Sequence, residues 1–298
     1  MSYILLIVVS ALLGGSVPTL AKFALDVFPT FILLFLRFAV ASLTLLPLII
    51  KSRYLNPKAF KAFAVVGIMG AINPIILYNA LKYTQASVSP LIYAASPLLT
   101  ALIVSKQNAE KISRNMIKGI IVGLLGVMMI ILLPLISNHA SQQLSLKGNL
   151  MIFLAMIAFT SYGILSKQKQ KEISATPAAL AFYFSLFSVI ITFPFALNEF
   201  NSGLMVWSNV TSVHWMSVIA TGVLGTTLFY LAYQNAILKG GPTAASLFTY
   251  LQPIVGIALP VLLLGETISL PFIIGAVLAL LGVQIASRKK LSLQGRIL

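Results

Sequence analysis

Apolar runs of membrane-spanning length recur along the entire chain, and no other feature of the sequence restricts the fold as much. A helix needs roughly 20 apolar residues to cross a hydrocarbon core about 30 Å thick. The runs lack the alternation of a lumen-lined β-barrel, and a helix satisfies its own backbone hydrogen bonds in lipid. The sequence therefore predicts an all-α membrane protein with ten transmembrane helices, at approximately residues 3–21, 30–50, 62–81, 86–105, 115–136, 148–166, 178–197, 214–237, 243–264 and 270–287.

Charged residues make up only 8% of the chain, and most of the 20 Lys and Arg lie in alternate loops between the predicted spans. Because loops rich in Lys and Arg stay in the cytoplasm, both termini are predicted to be cytoplasmic. The sequence indicates a multi-pass protein of the cell inner (plasma) membrane, with the lipid bilayer as a partner. The net charge of +15 thus reports orientation and not binding to nucleic acid.

Motifs for catalysis, metal binding and nucleotide binding are missing from the sequence. It has no Cys, His139 and His214 are isolated, and there is no glycine-rich phosphate loop. We therefore expect no metal and no cofactor, and an ATP-driven pump is disfavoured. A membrane-embedded enzyme would need a set of nucleophile, acid–base or metal-ligand residues that the sequence does not contain.

The second half of the chain repeats the first at a shift of 156 residues. This shift indicates a duplicated unit of five spans, which we place at 1–140 and 141–298. Because five is an odd number, the second copy must enter the membrane in the opposite orientation, as in the inverted repeats of many secondary transporters. The pairs related by the shift are Asn79 and Asn235, Pro97 and Pro253, Glu110 and Glu266, Ser113 and Ser269, Gly119 and Gly275, and Gly126 and Gly282.

Several short segments resemble EamA-type members of the drug/metabolite transporter superfamily, and the resemblance covers nearly the whole chain. It implies two five-helix halves and the export of an amino acid, another metabolite or a drug. The segments are Leu-Arg-Phe at 36–38, Tyr-Asn-Ala-Leu-Lys-Tyr-Thr at 78–84, and the spacing from Pro97 to Glu110, which recurs from Pro253 to Glu266.

Polar side chains share single faces of several predicted spans, and polar groups inside a membrane indicate a functional site. Arg37 lies roughly 12 Å below the outer end of span 2, from a rise of about 1.5 Å per residue. It either contacts a substrate carboxylate or has a structural role. Amides and phenols carry more weight than Ser and Thr, whose hydroxyls bond to their own helix. We predict that substrate is bound by Asn73, Tyr93, Ser96, Tyr230, Tyr250, Gln252 and Arg37.

Two repeat-related prolines, Pro97 and Pro253, lie near the middles of spans 4 and 9. Each removes a helical N–H donor and is expected to kink its helix. Matching bends in two repeats point to a transport site. Asn79 and Asn235 occupy inversion-related helix ends, where they act either as gates or as caps for loop backbone. We predict gating or hinge roles for Tyr78, Asn79, Pro97, Gln234, Asn235 and Pro253.

Small residues line one face of span 5 and one face of span 10, which allows close contact between helices. We expect these spans to support a cavity lined by spans 1 to 4 and 6 to 9. The same faces leave open a homodimer through spans 5 and 10. The small residues are Gly119, Gly123 and Gly126 in span 5, and Gly275, Ala279 and Gly282 in span 10.

Taken together, these features predict a secondary transporter, acting as an exporter, that moves a small polar metabolite such as an amino acid by alternating access. A carrier for a drug or a nucleotide-derived metabolite is the alternative, and an embedded enzyme or a channel are further ones. Proton antiport through a mid-membrane carboxylate is disfavoured, because every acid falls in a loop or at a helix end. These acids are Asp26, Glu110, Glu172, Glu199 and Glu266.

Overall fold

The computed structural model describes residues 2–107, 114–132, 135, 145–205 and 207–294, and within these ranges the chain forms helices and no strand. A 3-10 turn lies at Trp207–Asn209. The helices are α1 (Tyr3–Leu25), α2 (Thr30–Ile49), α3 (Pro57–Ala80), α4 (Val88–Tyr93), α5 (Ser96–Gln107), α6 (Arg114–Ile131), α7 (Leu146–Glu172), α8 (Pro177–Asn201), α9 (Ser212–Gly222), a π-helical segment (Val223–Leu228), α10 (Phe229–Ala245), α11 (Phe248–Leu264) and α12 (Leu270–Gln294).

Eight helical segments in the described part of the chain are long and apolar enough to cross a membrane. Two shorter apolar helices, Phe248–Leu264 and Leu270–Gly282, follow at the positions of the ninth and tenth predicted spans. The protein is therefore an all-helical, multi-pass membrane protein, as the sequence predicts. The count of ten crossings stays a prediction.

Local capping sequences begin some helices earlier than hydropathy predicts. The Asn56 side chain accepts a hydrogen bond from the Ala59 N–H at 2.9 Å, and Pro57 occupies the first turn. As a result α3 begins at Pro57 and not near residue 62. Thr176 and Pro177 start α8 in the same way. Hydropathy marks only the part of a helix that lies in hydrocarbon, so it misses such polar first turns.

Span 4 is interrupted just before the proline predicted to kink it. α4 ends at Tyr93 and α5 begins at Ser96, with Ala94 and Ala95 between them. Pro97 lies in the first turn of α5, where the missing N–H would have no helical acceptor in any case. The structure thus has two short helices where a single bent helix is predicted.

Span 9 differs, because no interruption accompanies Pro253, and the predicted kink there stays a prediction. Pro253 lies inside α11, which is assigned as one helix from Phe248 to Leu264. The connection predicted between spans 8 and 9 contains Gly241, which has a φ of 78° and is followed by Pro242. Glycine adopts a positive φ without a steric penalty, and proline cannot continue the preceding helix, so this pair sets the position of that connection.

The most extensive helix contacts join the two halves of the sequence. α2 packs on α8, α3 on α7, α6 on α12, and α1 on α11 and α10. If the two halves of the sequence are equivalent, a contact of span 3 with span 6 has its counterpart in a contact of span 8 with span 1. Both contacts are present: α3 packs on α7, and α1 packs on α9 and α10. Each half therefore completes its packing on the other.

Glycines bring the backbones of α6 and α12 together. A Cβ atom on Gly126 would overlap backbone atoms of Gly275 and Ala279, and one on Gly282 would overlap the backbone of Gly123. The small-residue faces of spans 5 and 10 thus contact each other within one chain. A homodimer through these spans stays a prediction, and it would have to use other faces of the two helices.

Candidate functional site

A polar cavity lies inside the bundle, between helices of both halves. Residues of α1 to α4 line it from the first half, and residues of α7, the π-helical segment, α10 and α11 line it from the second. The cavity is small, with a volume of about 50 Å³, which is room for a few waters. Its polar side chains are Arg37, Asn73, Ser89, Tyr93, Tyr230 and Gln252.

Arg37 is the charged side chain of this cavity and is 3% exposed. Its Nε donates to Thr226 Oγ1 at 2.7 Å, its Nη2 donates to the Gly225 carbonyl at 3.0 Å, and its Nη1 donates to the Tyr78 hydroxyl. All three acceptors are neutral, and within the described ranges Arg37 has no salt bridge. Nη1 and Nη2 each keep a second N–H for which the described residues provide no acceptor.

The π-helical segment Val223–Leu228 explains how Arg37 is held. A π turn widens the helix by one residue, and the Thr226 hydroxyl donates to the Thr221 carbonyl, five residues earlier, at 2.9 Å. This geometry presents the Gly225 carbonyl to Arg37. A side chain at position 225 would collide with Val17 of α1, so glycine is needed for the close approach. Such π turns occur frequently at functional sites.

Asn73 connects three helices at the cavity wall. Its Nδ2 donates to the Ala155 carbonyl of α7 at 2.7 Å and to the Tyr93 hydroxyl of α4. Because Asn73 itself belongs to α3, this amide ties the first half to the second next to the cavity. The Tyr93 ring also lies 5.8 Å from that of Phe159.

Three phenylalanines form an apolar wall of the cavity. The ring centres of Phe229 and Phe248 are 5.4 Å apart, and those of Phe159 and Phe248 are 6.0 Å apart. Such edge contacts between aromatic rings are favourable and fix the ring positions. The cavity therefore has a polar side at Arg37 and an aromatic side at these rings.

Gln252 lines the cavity from α11, and its side-chain oxygen is buried without a described partner. The residue is 7% exposed, and its Oε1 receives no hydrogen bond from any described residue. Its backbone is held against α1, because a Cβ atom on Gly15 would lie 2.9 Å from the Gln252 carbonyl oxygen. A buried amide oxygen without a donor is costly.

Tyr78 and Gln234, predicted as gate residues, are related by the shift of 156 but make different contacts. Tyr78 accepts from Arg37, whereas Gln234 belongs to a neutral cluster on α7 and α10. Its Nε2 donates to the Tyr162 hydroxyl at 2.8 Å and to Ser166 Oγ at 3.0 Å. Gln170 Nε2 donates to the Gln234 carbonyl at 3.1 Å. We call Tyr162, Ser166, Gln170 and Gln234 the Gln234 cluster.

Two residues predicted to bind substrate do not line the cavity. Ser96 shares a hydrogen bond of 2.9 Å with Thr160, and Tyr250 is half-buried elsewhere on α11. Asn79 and Asn235 have matching local contacts, since each side chain donates to the carbonyl four residues earlier in its own helix, at 2.9 and 2.7 Å. Their gating roles stay predictions.

Glu266 lies at a helix end, as predicted, and its carboxylate is bonded outside the cavity. It is 4% exposed and accepts hydrogen bonds from the N–H groups of Ala86 at 2.6 Å and Ser87 at 3.0 Å. Lys22 Nζ lies 3.6 Å from the same carboxylate. Its repeat mate Glu110 lies outside the described residues. Over the described ranges, no group of His, Asp and Glu is positioned to hold a metal ion.

A helical membrane bundle that encloses a polar cavity between two halves is the architecture of many secondary transporters. The chain belongs to the EamA-like transporter family, whose model matches residues 1–132 and 146–288. It is 26% identical to the uncharacterized transporter YetK of Bacillus subtilis (strain 168), over 97% of this chain and 87% of the relative. It is 25% identical to the WAT1-related protein At5g40210 of Arabidopsis thaliana, over 85% and 77%. A crystal structure of a protein has the same fold, with a TM-score of 0.68 at 20% identity over 96% of this chain and 97% of the other.

Sequence reasoning did not select the aromatic wall or the residues of α1 that line the cavity, Gly14, Val17 and Pro18. Phenylalanine occurs at buried and at exposed positions of this chain, as Phe248 at 1% and Phe193 at 51% exposure illustrate, so its type alone does not identify a cavity wall. In α1, however, the adjacent glycines at 14 and 15 followed by Pro18 indicate a close helix contact. That signal was available in the sequence.

Proposed function

We propose that the protein is a secondary transporter that moves a small polar metabolite, such as an amino acid, by alternating access, and that it works as an exporter. The observation that carries this proposal is the cavity lined by both halves, whose polar side chains are at most 7% exposed. The relatives named as transporters support the same class of function. The cargo and the direction are parts of the proposal.

Alternating access needs two bundles that move against each other around one site. We propose ten crossings in two inverted five-helix repeats, 1–140 and 141–298. The family model matches the chain in two consecutive segments of similar length, which supports a duplication. The reciprocal packing of span 3 on span 6 and of span 1 on span 8 supports the inversion.

Membrane orientation is the next part of the proposal: the plasma membrane, with both termini in the cytoplasm. The chain contains no Cys, so single cysteines at exposed positions report on topology. In intact cells, an impermeant thiol reagent should label Ser202→Cys, after α8, and should not label Lys171→Cys, near the end of α7. Equal labelling of the two variants would contradict the orientation.

Energy coupling follows from the position of the acids. The polar residues that line the cavity in the described part of the chain include no Asp or Glu, and Glu266 is bonded to backbone N–H groups at a helix end. We therefore propose facilitated diffusion or exchange of a neutral, zwitterionic or anionic cargo. A lipophilic cation would be repelled by Arg37.

The experiment uses purified protein in liposomes loaded with one of a panel of labelled amino acids, drugs and nucleotide-derived metabolites. Release down the gradient of the cargo should saturate and should not need a pH gradient. Release that does not saturate would indicate a channel. Uphill transport that follows a pH gradient and disappears in Glu266→Gln would contradict the proposed coupling.

A further inference from the structure

An open groove lies between α3 and α8, on the outside of the bundle and away from the polar cavity. Its volume of about 490 Å³ is within the range of small-molecule sites. Because α3 belongs to the first half of the sequence and α8 to the second, the groove joins the two halves. Its lining includes Leu55, Asn56, Phe60, Lys61, Phe182 and Leu186.

The two helices run side by side in the same direction. The Phe63 ring of α3 stacks on the Tyr183 ring of α8, with ring centres 4.6 Å apart. Four residues further along each helix, a Cβ atom on Gly67 would overlap the Phe187 ring. Both helices therefore begin at the same end of the bundle, and the groove lies at that end.

The chemistry of the groove changes along its length. Asn56 and Lys61 lie at its mouth, where α3 begins, and both are exposed. Phe182 and Leu186 lie five and nine residues beyond the start of α8 at Pro177, a rise of roughly 8 to 14 Å. The groove thus leads from a polar, positively charged mouth at the ends of two spans to an apolar interior. A phospholipid has the same order of groups, from its phosphate to its acyl chains.

The positive charge at the mouth has no acid nearby in sequence. Residues 27–109 and 173–198, which contain both walls of the groove, include no Asp or Glu. Lys58 precedes Lys61 by three residues on the same face of α3, and neither has an ion pair among the described residues. Lys51 and Arg53 belong to the connection before this helix. Basic loops orient a membrane protein without binding a particular lipid, but here the charge borders a groove, and its sign favours an anionic head group.

The walls of the groove are held in place without a ligand. The Tyr183 hydroxyl donates to the Tyr54 carbonyl at 2.5 Å, and the Tyr54 hydroxyl donates to the Ser174 carbonyl at 2.5 Å. The ring centres of Phe60 and Phe187 are 4.7 Å apart. Binding in this groove therefore requires little ordering of the protein.

We propose that the groove binds an anionic phospholipid of the cytoplasmic leaflet. The phosphate contacts the ammonium of Lys61, and the upper part of one acyl chain lies against Phe60, Phe182 and Leu186. The lipid then touches both halves of the sequence at once. The choice of leaflet rests on the proposed membrane orientation, whereas the binding itself does not depend on transport.

The first test uses the complete purified protein in detergent and native mass spectrometry. Dioleoyl phosphatidylglycerol is titrated against dioleoyl phosphatidylcholine, which has the same chains and no net charge. One Lys near a membrane surface is worth about a fivefold preference for an anionic lipid, so phosphatidylglycerol should bind at least about fivefold more tightly. Equal binding of the two lipids would overturn the proposal.

A free phosphate is the other source of the same charge. Inorganic phosphate and glycerol phosphate, added in large excess, should not displace phosphatidylglycerol, because they lack the chain that occupies the apolar interior. Displacement by either would show a site for soluble anions and would overturn the assignment to a lipid.

The second test locates the site. Lys61→Gln should lower the preference for phosphatidylglycerol about fivefold, whereas Lys61→Arg keeps the charge and should retain the preference. Leu186→Trp fills the apolar interior and should weaken both lipids several-fold. Unfolding temperatures of the same preparations show whether each variant is folded.

Lys118→Gln is the matched control. Lys118 is exposed and lies four residues after the start of α6 at Arg114, as Lys61 lies four residues after the start of α3, but it does not line the groove. Its replacement should leave the lipid preference at the wild-type value. Equal losses in Lys118→Gln and Lys61→Gln would attribute the preference to general surface charge and would overturn the groove as its site. Failure of the transport assays would overturn the proposed function and leave these binding results unchanged.

Discussion

Pairs of residues related by the shift of 156 make the same contacts at the periphery of the molecule and different contacts near its cavity. At the periphery, Gly126 and Gly282 make equivalent backbone contacts, and Asn79 and Asn235 make equivalent bonds to their own helices. Residues related by the shift have the same local contacts there. A contact that only holds helices together works equally well in either orientation.

Near the cavity, residues related by the shift make different contacts. Tyr78 accepts a hydrogen bond from Arg37, whereas Gln234 lies in the neutral Gln234 cluster. Pro97 begins a new helix, whereas Pro253 lies inside a continuous one. The comparison teaches that like pairs hold helices together at the periphery and that unlike pairs make the surroundings of the cavity asymmetric. Like pairs should therefore respond alike to mutation, and unlike pairs should not.

The largest effect is expected for Gly126→Leu and Gly282→Leu. Any side chain at these positions meets the backbone of the facing helix, and overpacking of this kind costs about 3 kcal/mol or more. Thermal unfolding in detergent should show equal, severe losses for the two variants. The control Leu125→Ala changes a residue of α6 that is 60% exposed and should stay within about 0.5 kcal/mol. Tolerance of one glycine variant alone would break the equivalence.

The next effect distinguishes Tyr78 from Gln234. Tyr78→Phe removes an acceptor of a charged hydrogen bond and should lower stability by about 2 kcal/mol. It should also weaken the apparent affinity for cargo several-fold, because Arg37 loses a contact that positions it. Gln234→Leu leaves the hydroxyls of Tyr162 and Ser166 without this partner and should cost about 1–2 kcal/mol, with affinity unchanged. Equal losses of affinity in liposome transport would contradict the asymmetry.

A smaller effect is expected for the prolines. Pro253→Ala restores a backbone donor inside α11 and should raise stability by about 1 kcal/mol, whereas Pro97→Ala should leave stability within about 0.5 kcal/mol. Both should slow transport several-fold, because each changes how readily a helix bends. Transport rates and unfolding temperatures measured on the same preparations test this. Unchanged transport by both variants would remove the prolines from the mechanism.

The smallest effect is expected for Asn79→Ala and Asn235→Ala. Each removes one half-buried hydrogen bond within a helix, which is worth about 0.5 kcal/mol. The two variants should show equal, small shifts in unfolding temperature and near-normal transport. A large loss of transport by either variant at normal stability would instead support the predicted role in gating.

Much of the fold follows from residue types, and much of the cavity geometry does not. Hydropathy locates the spans, because lipid selects apolar residues along their whole length. The polar residues at Arg37, Asn73, Tyr93, Tyr230 and Gln252 are recognisable as exceptions to that rule, and the structure brings all five to one cavity. Breaks and widened turns escape such reasoning.

The π-helical segment and the break at Ala94 and Ala95 depend on how helices meet. A π turn differs from an α turn by one residue and has no composition of its own, so the sequence of Val223–Leu228 gave no sign of it. Pro97 predicts a kink by residue type, but the helix is interrupted at Ala94 and Ala95, just before it. Tertiary contacts select between such local alternatives.

The backbone contact between α6 and α12 has a mechanical consequence. Two helices that touch through glycine are expected to move as one rigid pair. Sliding by one residue would press a neighbouring Cβ atom into the opposite backbone. Strain generated elsewhere in the bundle cannot be absorbed there. We therefore expect a rearrangement that opens the cavity to move the other helices, with the α6–α12 pair as the pivot. The glycines between α6 and α12 would thus limit which helices can move.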